Sequence, residues 1–135
     1  MEFLDTNIFL RFLTGDDPDR SASASALFER VELAELTVTT SESVVVEIVQ
    51  VLSSKVLYNA PRSEIRHQLR KVLSLPGLVL PHKRSYLRAL DIYSATNLDF
   101  VDAISTAHVE RAHAGRIISY DRDFDRIEGI VRAEP

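Results

Sequence analysis

Asp5, Glu47, Asp102 and Asp121 are the residues whose types and positions in this chain suit chemistry. Asp5 follows the apolar pair Phe3-Leu4 and precedes Ile8, Phe9, Phe12 and Leu13, which space themselves as one face of a helix. It therefore stands at the carboxyl end of a short strand, where open α/β sheets carry their ligands. Asp121 occupies the same kind of place after the strand expected over Ile117–Tyr120. Glu47 shares the polar side of a mid-chain helix with Ser43, Gln50 and Ser54. Asp102 falls in the first turn of a helix that Asp99 caps, where the helix dipole favours a carboxylate. Four carboxylates converging within about 5 Å repel one another strongly at low dielectric, so such a pocket needs either protons or a cation. Oxygen donors without His or Cys select hard Mg²⁺ or Mn²⁺. A cation of that kind polarises a phosphate oxygen and lowers the pKa of its water, which is the chemistry of phosphodiester hydrolysis. Each acid also has a plainer use. Asp is a favoured N-cap, and acidic residues are 20 of 135, so single coincidences are common.

The elements that must position these acids alternate along the chain. Thr14-Gly-Asp-Asp-Pro18 breaks the first helix, and Asp17 with Pro18 suits the start of a second, over Asp19–Ala34. Thr37–Thr39 is a short β-branched strand. Thr39 and Glu42 have capping-box spacing for a third helix, running to about Tyr58 with Val44, Val45, Ile48, Val51, Leu52 and Val56 as its apolar stripe. Arg62–Leu75 is a fourth helix, Pro76-Gly77 a turn and Leu78–Leu80 a buried strand. Helices follow over His82–Thr96 and Phe100–Ala114, with Gly115 placed as the C′ residue of the latter. Arg122–Arg126 is a loop or single turn, and Ile130-Val131 a last strand. Strands alternating with helices predict an α/β fold with a central parallel sheet covered on both faces.

Composition bounds the rest. A chain of 135 residues, 45% apolar and 27% charged, predicts one globular domain over 1–135. The absence of cysteine excludes disulfides, thiolate ligands and a cysteine nucleophile. No leader pattern and no long apolar run stand out, so a cytoplasmic location without a membrane partner is expected. A net charge of −4 argues against a general polyanion-coating protein, although local basic patches matter more than the sum.

Leu4-Asp-Thr-Asn7, the Glu47 helix, Asp99-Phe-Val-Asp-Ala103 and Ser119-Tyr-Asp-Arg-Asp-Phe124 resemble, in order, the motifs of PIN-domain ribonucleases. The resemblance spans essentially the whole chain and is nearest to the VapC-type toxins of toxin–antitoxin pairs. It implies a three-layer α/β/α PIN-like domain with Asp5, Glu47, Asp102 and Asp121 as both catalytic acids and Mg²⁺ or Mn²⁺ ligands. It further implies that Asn7 and Ser119 orient the carboxylates, with Asp99 and Asp123 as softer supporting assignments. Asp99 also reads as a plain N-cap, and Asp123 as a brace for its loop. Glu42 rivals Glu47 but reads as the capping-box residue. The implied activity is an RNA endonuclease toxin whose metal-activated water attacks the phosphodiester. The implied partners are a second copy of the chain and a small VapB-like antitoxin reaching into the acidic cleft.

Two rival readings fit the residues less well. A haloacid-dehalogenase-like phosphatase using Asp5 as nucleophile needs a second Asp two residues on and a lysine just before the final acidic pair, whereas this chain has Asn7 and no such lysine. A PIN-like module that binds RNA or protein without cutting would be signalled by a lost acid, and all four are present. The four histidines lack paired ligand spacing. Arg62, Arg66, His67, Arg70 and Lys71 on one helix, and Lys83, Arg84 and Arg88 on the next, fit solvated faces and are also candidate walls for an RNA backbone. Arg11, near the Asp5 end of the first helix, and Arg122, beside Asp121, are candidates for phosphate contact.

Overall fold

A computed structural model describes residues 1–135 and divides them into two compact units, Met1–Lys83 and Arg84–Pro135. In chain order the first unit contains β1 (Glu2–Phe3), α1 (Thr6–Thr14), α2 (Pro18–Glu32), β2 (Val38–Thr39), α3 (Glu42–Ser53), α4 (Arg62–Leu73) and β3 (Leu78–Val79). The second contains α5 (Lys83–Ala95), whose first residue closes the first unit, then α6 (Phe100–Arg111), β4 (Arg116–Ile118), a 3-10 turn (Arg122–Arg126) and β5 (Val131–Ala133). Six helices and parallel strands place the chain in the α/β class and are consistent with the expected three-layer α/β/α arrangement.

In the first unit three parallel strands lie in the order β1-β2-β3, with Phe3, Thr39 and Val79 in one row. The row is short because helices begin almost at once. Asp5 caps α1 and Gly15, at φ +67°, ends it in the left-handed conformation that glycine adopts without a Cβ penalty. Asp17 caps α2 and Pro18 opens it, as their order in the sequence predicts. The helices bury Phe9, Phe28, Val31, Ile48, Ile65 and Leu69 almost completely. Phe28 stacks at a tilt on Phe9 and Phe12, with ring centroids 5.4 and 4.5 Å apart. Gly77 seats β3 beneath α2: its amide donates to the Val31 carbonyl at 2.9 Å, and its own carbonyl accepts from Val38 at 2.8 Å. A Cβ here would meet the Leu36 carbonyl oxygen at 2.2 Å, so only glycine fits.

The second unit carries its own two-stranded parallel sheet, β4-β5. The strands thus form two hydrogen-bonded ladders, where one central sheet was expected. Tyr93 of α5 packs edge-on against Phe100 of α6 at 5.6 Å, and Leu90, Ala103 and Phe124 are buried. Arg88 and Glu110 join α5 to α6 through two hydrogen bonds of 2.8 and 3.0 Å.

Several boundaries differ from the sequence reading. α3 ends at Ser53, and Val56, assigned to its buried stripe, is 92% exposed. Ser54 turns extended, and the amides of Leu57 and Asn59 close a turn on its carbonyl instead of continuing the helix. Thr39 does not cap α3. It lies on β2 and donates its hydroxyl to the Val79 carbonyl at 2.6 Å, while Ser41 accepts from the Val44 amide as the cap. α6 ends at Arg111 with Ala112 as its C-cap, so the C′ position expected for Gly115 falls to His113, at φ +53°, and Gly115 follows two residues later in its own left-handed turn at φ +66°. The strand leading to Asp121 ends at Ile118, and the last strand starts at Val131.

Candidate metal centre

Asp5 follows Leu4, whose amide and carbonyl are both bonded to the end of β2 and the residue after it. The Leu4 amide donates to the Thr39 carbonyl at 2.8 Å, and the buried Thr40 hydroxyl donates to the Leu4 carbonyl at 2.8 Å. The chain then enters α1, and the Asp5 carboxylate accepts from the Thr6 amide at 2.8 Å. Thr6 is itself buried, and its hydroxyl donates to the Glu47 carboxylate at 2.8 Å. One threonine therefore links the tip of β1 to the α3 acid across 41 positions of sequence. Glu42, at the start of α3, is exposed.

Thr6 is the residue that sequence reasoning undervalued. Asn7, which the resemblance implies as an orienting residue, is exposed like Asp5 and Glu47 and lines a groove beside Arg11. The only signal for Thr6 was its hydroxyl within the Asp-Thr-Asn triplet.

In the second unit the carboxylates of Asp102, Asp121 and Asp123 each offer an oxygen, all within 4.8 Å of one another. Asp99 caps α6, accepting from the Asp102 amide at 2.8 Å, and so fixes the first turn that presents Asp102. Ser119 accepts from the Asp121 amide at 3.0 Å, and Asp121 in turn caps the 3-10 turn by accepting from the Asp123 amide at 2.9 Å. Ser119 thus positions Asp121 through its backbone, and Asp123 joins the cluster as well as belonging to the loop. Arg132 of β5 clamps this loop, reaching the Asp125 carboxylate at 2.9 Å and the Ser119 carbonyl at 3.0 Å. Nothing local in the sequence marked Arg132.

Asp102 is half-buried, while Asp121 and Asp123 are exposed. Burial, followed by the negative charges of Asp99, Asp121 and Asp123, pushes the Asp102 carboxyl above its ordinary value. A divalent cation reverses both penalties, and three carboxylates with no nitrogen or sulfur donor suit a hard ion such as Mg²⁺ or Mn²⁺. The donor set therefore fits the metal that the sequence implies.

Structure also bears on the basic faces. Arg88 is occupied by Glu110, and the Lys83 ammonium is bonded to the Leu78 carbonyl, with burial lowering its pKa.

No curated protein sequence matches the chain. The PIN domain family matches it over residues 3–130, nearly its whole length. With the acids seated at strand tips and helix starts as described, this protein is a member of the PIN-domain family, whose domains are generally metal-dependent nucleases.

Proposed function

We propose that this protein is an endoribonuclease of the VapC toxin type, a single PIN domain over residues 1–135. The observation that carries the reading is the cluster of Asp102, Asp121 and Asp123 in a chain of this family. Asp5, Glu47, Asp102 and Asp121 would hold Mg²⁺ or Mn²⁺, with Asp123 beside them. When bound, the cation supplies positive charge to a phosphodiester and acidifies water for its hydrolysis.

The chain's own residues supply the positioning. Thr6 holds Glu47 by its hydroxyl, Asp99 fixes the turn that presents Asp102, and Ser119 fixes the backbone of Asp121. Catalysis of this kind depends on such fixed geometry, since a poorly oriented ligand loses both affinity and rate. The same reading places the protein in the cytoplasm as a homodimer, neutralised by a small VapB-like antitoxin that presents a cation to the acids. No helix is long and apolar enough to cross a membrane.

The test is incubation of purified, antitoxin-free protein with a total-RNA pool in Mg²⁺, Mn²⁺ or EDTA, beside Asp5→Asn and Asp102→Asn. Discrete fragments that vanish with EDTA and in both variants are expected. Folded protein that binds RNA but cuts none with either metal would replace this reading with a non-catalytic PIN-like binding module.

A further inference from the structure

Three grooves of the first unit differ in charge. One between α1, α2 and α4 has Glu29 and Glu32 against Lys71, and one beside Tyr58 has Asp16 and Glu64 and no base. The third, of about 490 Å³ between α1 and α2, sets Arg11 and Arg20 against Asp19 alone. Its floor is Ile8, Ala24 and Leu27. Its near end is Asn7, immediately after the Asp5–Thr6 strand tip, and Arg11 follows about one turn later on the same face of α1, about 6 Å along the helix.

We propose that this groove receives the backbone of single-stranded RNA next to the cleaved phosphate, with Arg11 and Arg20 pairing with its phosphates. The inference rests on the nuclease reading for its choice of polyanion. Arginine suits the task because its planar donor fork matches phosphate oxygens. Arg20 now meets Asp17 at 3.5 Å, but its side chain is 72% exposed. An exposed pair of this kind is worth little, so phosphate can recruit the guanidinium at small cost. The apolar floor accepts the face of a ribose or base, which needs no sequence-specific hydrogen bond. Asn7 and Ser23 supply neutral hydrogen-bonding groups along the same wall.

The test is fluorescence anisotropy of a labelled mixed-sequence RNA 12-mer in EDTA over a salt series, alongside the total-RNA cleavage assay. Arg11→Ala and Arg20→Ala are each expected to weaken binding about three- to tenfold and to lower the slope of log affinity against log salt by about 0.7, the value for one phosphate contact to a single strand. Arg11→Lys should retain the slope, and Arg30→Ala, on the exposed side of α2, should change neither quantity. Circular dichroism melts identify any variant that fails to fold, and in that case Arg20→Glu carries the same test with a larger loss. The proposal is overturned if Arg11→Ala and Arg20→Ala match Arg30→Ala in affinity and slope. It is also overturned if polyglutamate of equal charge displaces the RNA with the same arginine dependence, which would reassign the groove to an acidic protein segment. Wild-type protein that binds RNA through both arginines but never cuts would sink the nuclease reading and leave the groove assignment standing. Cutting without any arginine dependence would do the reverse.

Discussion

The two units hold their acids in opposite ways. In the first, Asp5 and Glu47 are held by donors on one residue: the Thr6 amide serves Asp5 and the Thr6 hydroxyl serves Glu47. In the second, Asp102, Asp121 and Asp123 are gathered by backbone caps from Asp99 and Ser119, and their charges face one another. The first arrangement is satisfied as it stands. The second sets like charges around a half-buried Asp102, whose pKa is raised first by burial and then by the neighbouring acids, and a cation would relieve both. A metal-dependent site needs both features, because ligands must be oriented before the ion arrives and must also gain from its arrival.

Substitution should tell most at the crowded cluster. Asp121→Asn should cut RNA cleavage by about a hundredfold or more, the scale on which catalytic electrostatics act, while leaving the melting temperature without metal unchanged or higher. Single-turnover cleavage and thermal melts check both halves. A variant as active as wild type would remove Asp121 from the ligand set.

The frame of the first unit breaks at Gly77. Gly77→Ala drives a methyl group into the Leu36 and Val31 carbonyl oxygens, at 2.2 and 2.7 Å, and should cost about 3 kcal/mol of stability, at the upper end of overpacking penalties. Urea unfolding measures it, and a midpoint equal to wild type would show that this backbone approach is loose.

Thr6→Val tests whether the first pair of acids needs its donor. It keeps the buried volume but leaves Glu47 without its hydroxyl partner, which should cost about 1 kcal/mol and lower cleavage about tenfold. Thr6→Ser should recover most of the activity. A Thr6→Val protein with normal rate would show that Glu47 needs no such positioning.

The smallest effect concerns pH. Without metal, the folded protein holds the Asp102 proton more tightly than the unfolded chain does, whose value is near the ordinary 3.8. Stability should therefore decline as pH rises from 3.8 towards the raised folded value, and the penalty is fully present above it. Asp102→Asn should flatten this slope and raise the melting point at neutral pH by about 2 °C. Millimolar Mg²⁺ should stabilise the wild type and leave the variant little changed. A variant with the wild-type pH slope would locate the repulsion elsewhere.

Sequence pattern served well wherever the physics was local. Asp5, Gly15, Asp17, Pro18 and Asp99 all act where capping rules put them, because a cap depends on residues within one turn. The pattern failed at Val56, which continues the apolar period of α3 although the helix has already ended, since the period carries no information about the extended backbone at Ser54. It failed at Thr39 because the Val79 carbonyl, 40 positions away, claims the hydroxyl that local spacing assigned to a cap. Of the acids read from the motifs, Asp102 and Asp121 stand in the cluster, and they are joined there by Asp123, which reads from sequence as a brace for its loop. The Thr6–Glu47 bond and the Arg132 clamp were not legible, since both join distant parts of the chain.

That clamp ties the timing of motion at the acidic loop to the final strand. The Ser119 amide donates to the Ala133 carbonyl and the Ser119 carbonyl accepts from Arg132, so residues flanking Asp121 cannot swing free while β5 remains zipped to β4. Loop and strand therefore form one cooperative opening unit, and the Ser119 amide should exchange its hydrogen at the same rate as those of Val131 and Ala133. Order in the acidic loop is in this sense a property of residues 131–133, and loosening β5 would blur the acids without touching any of them.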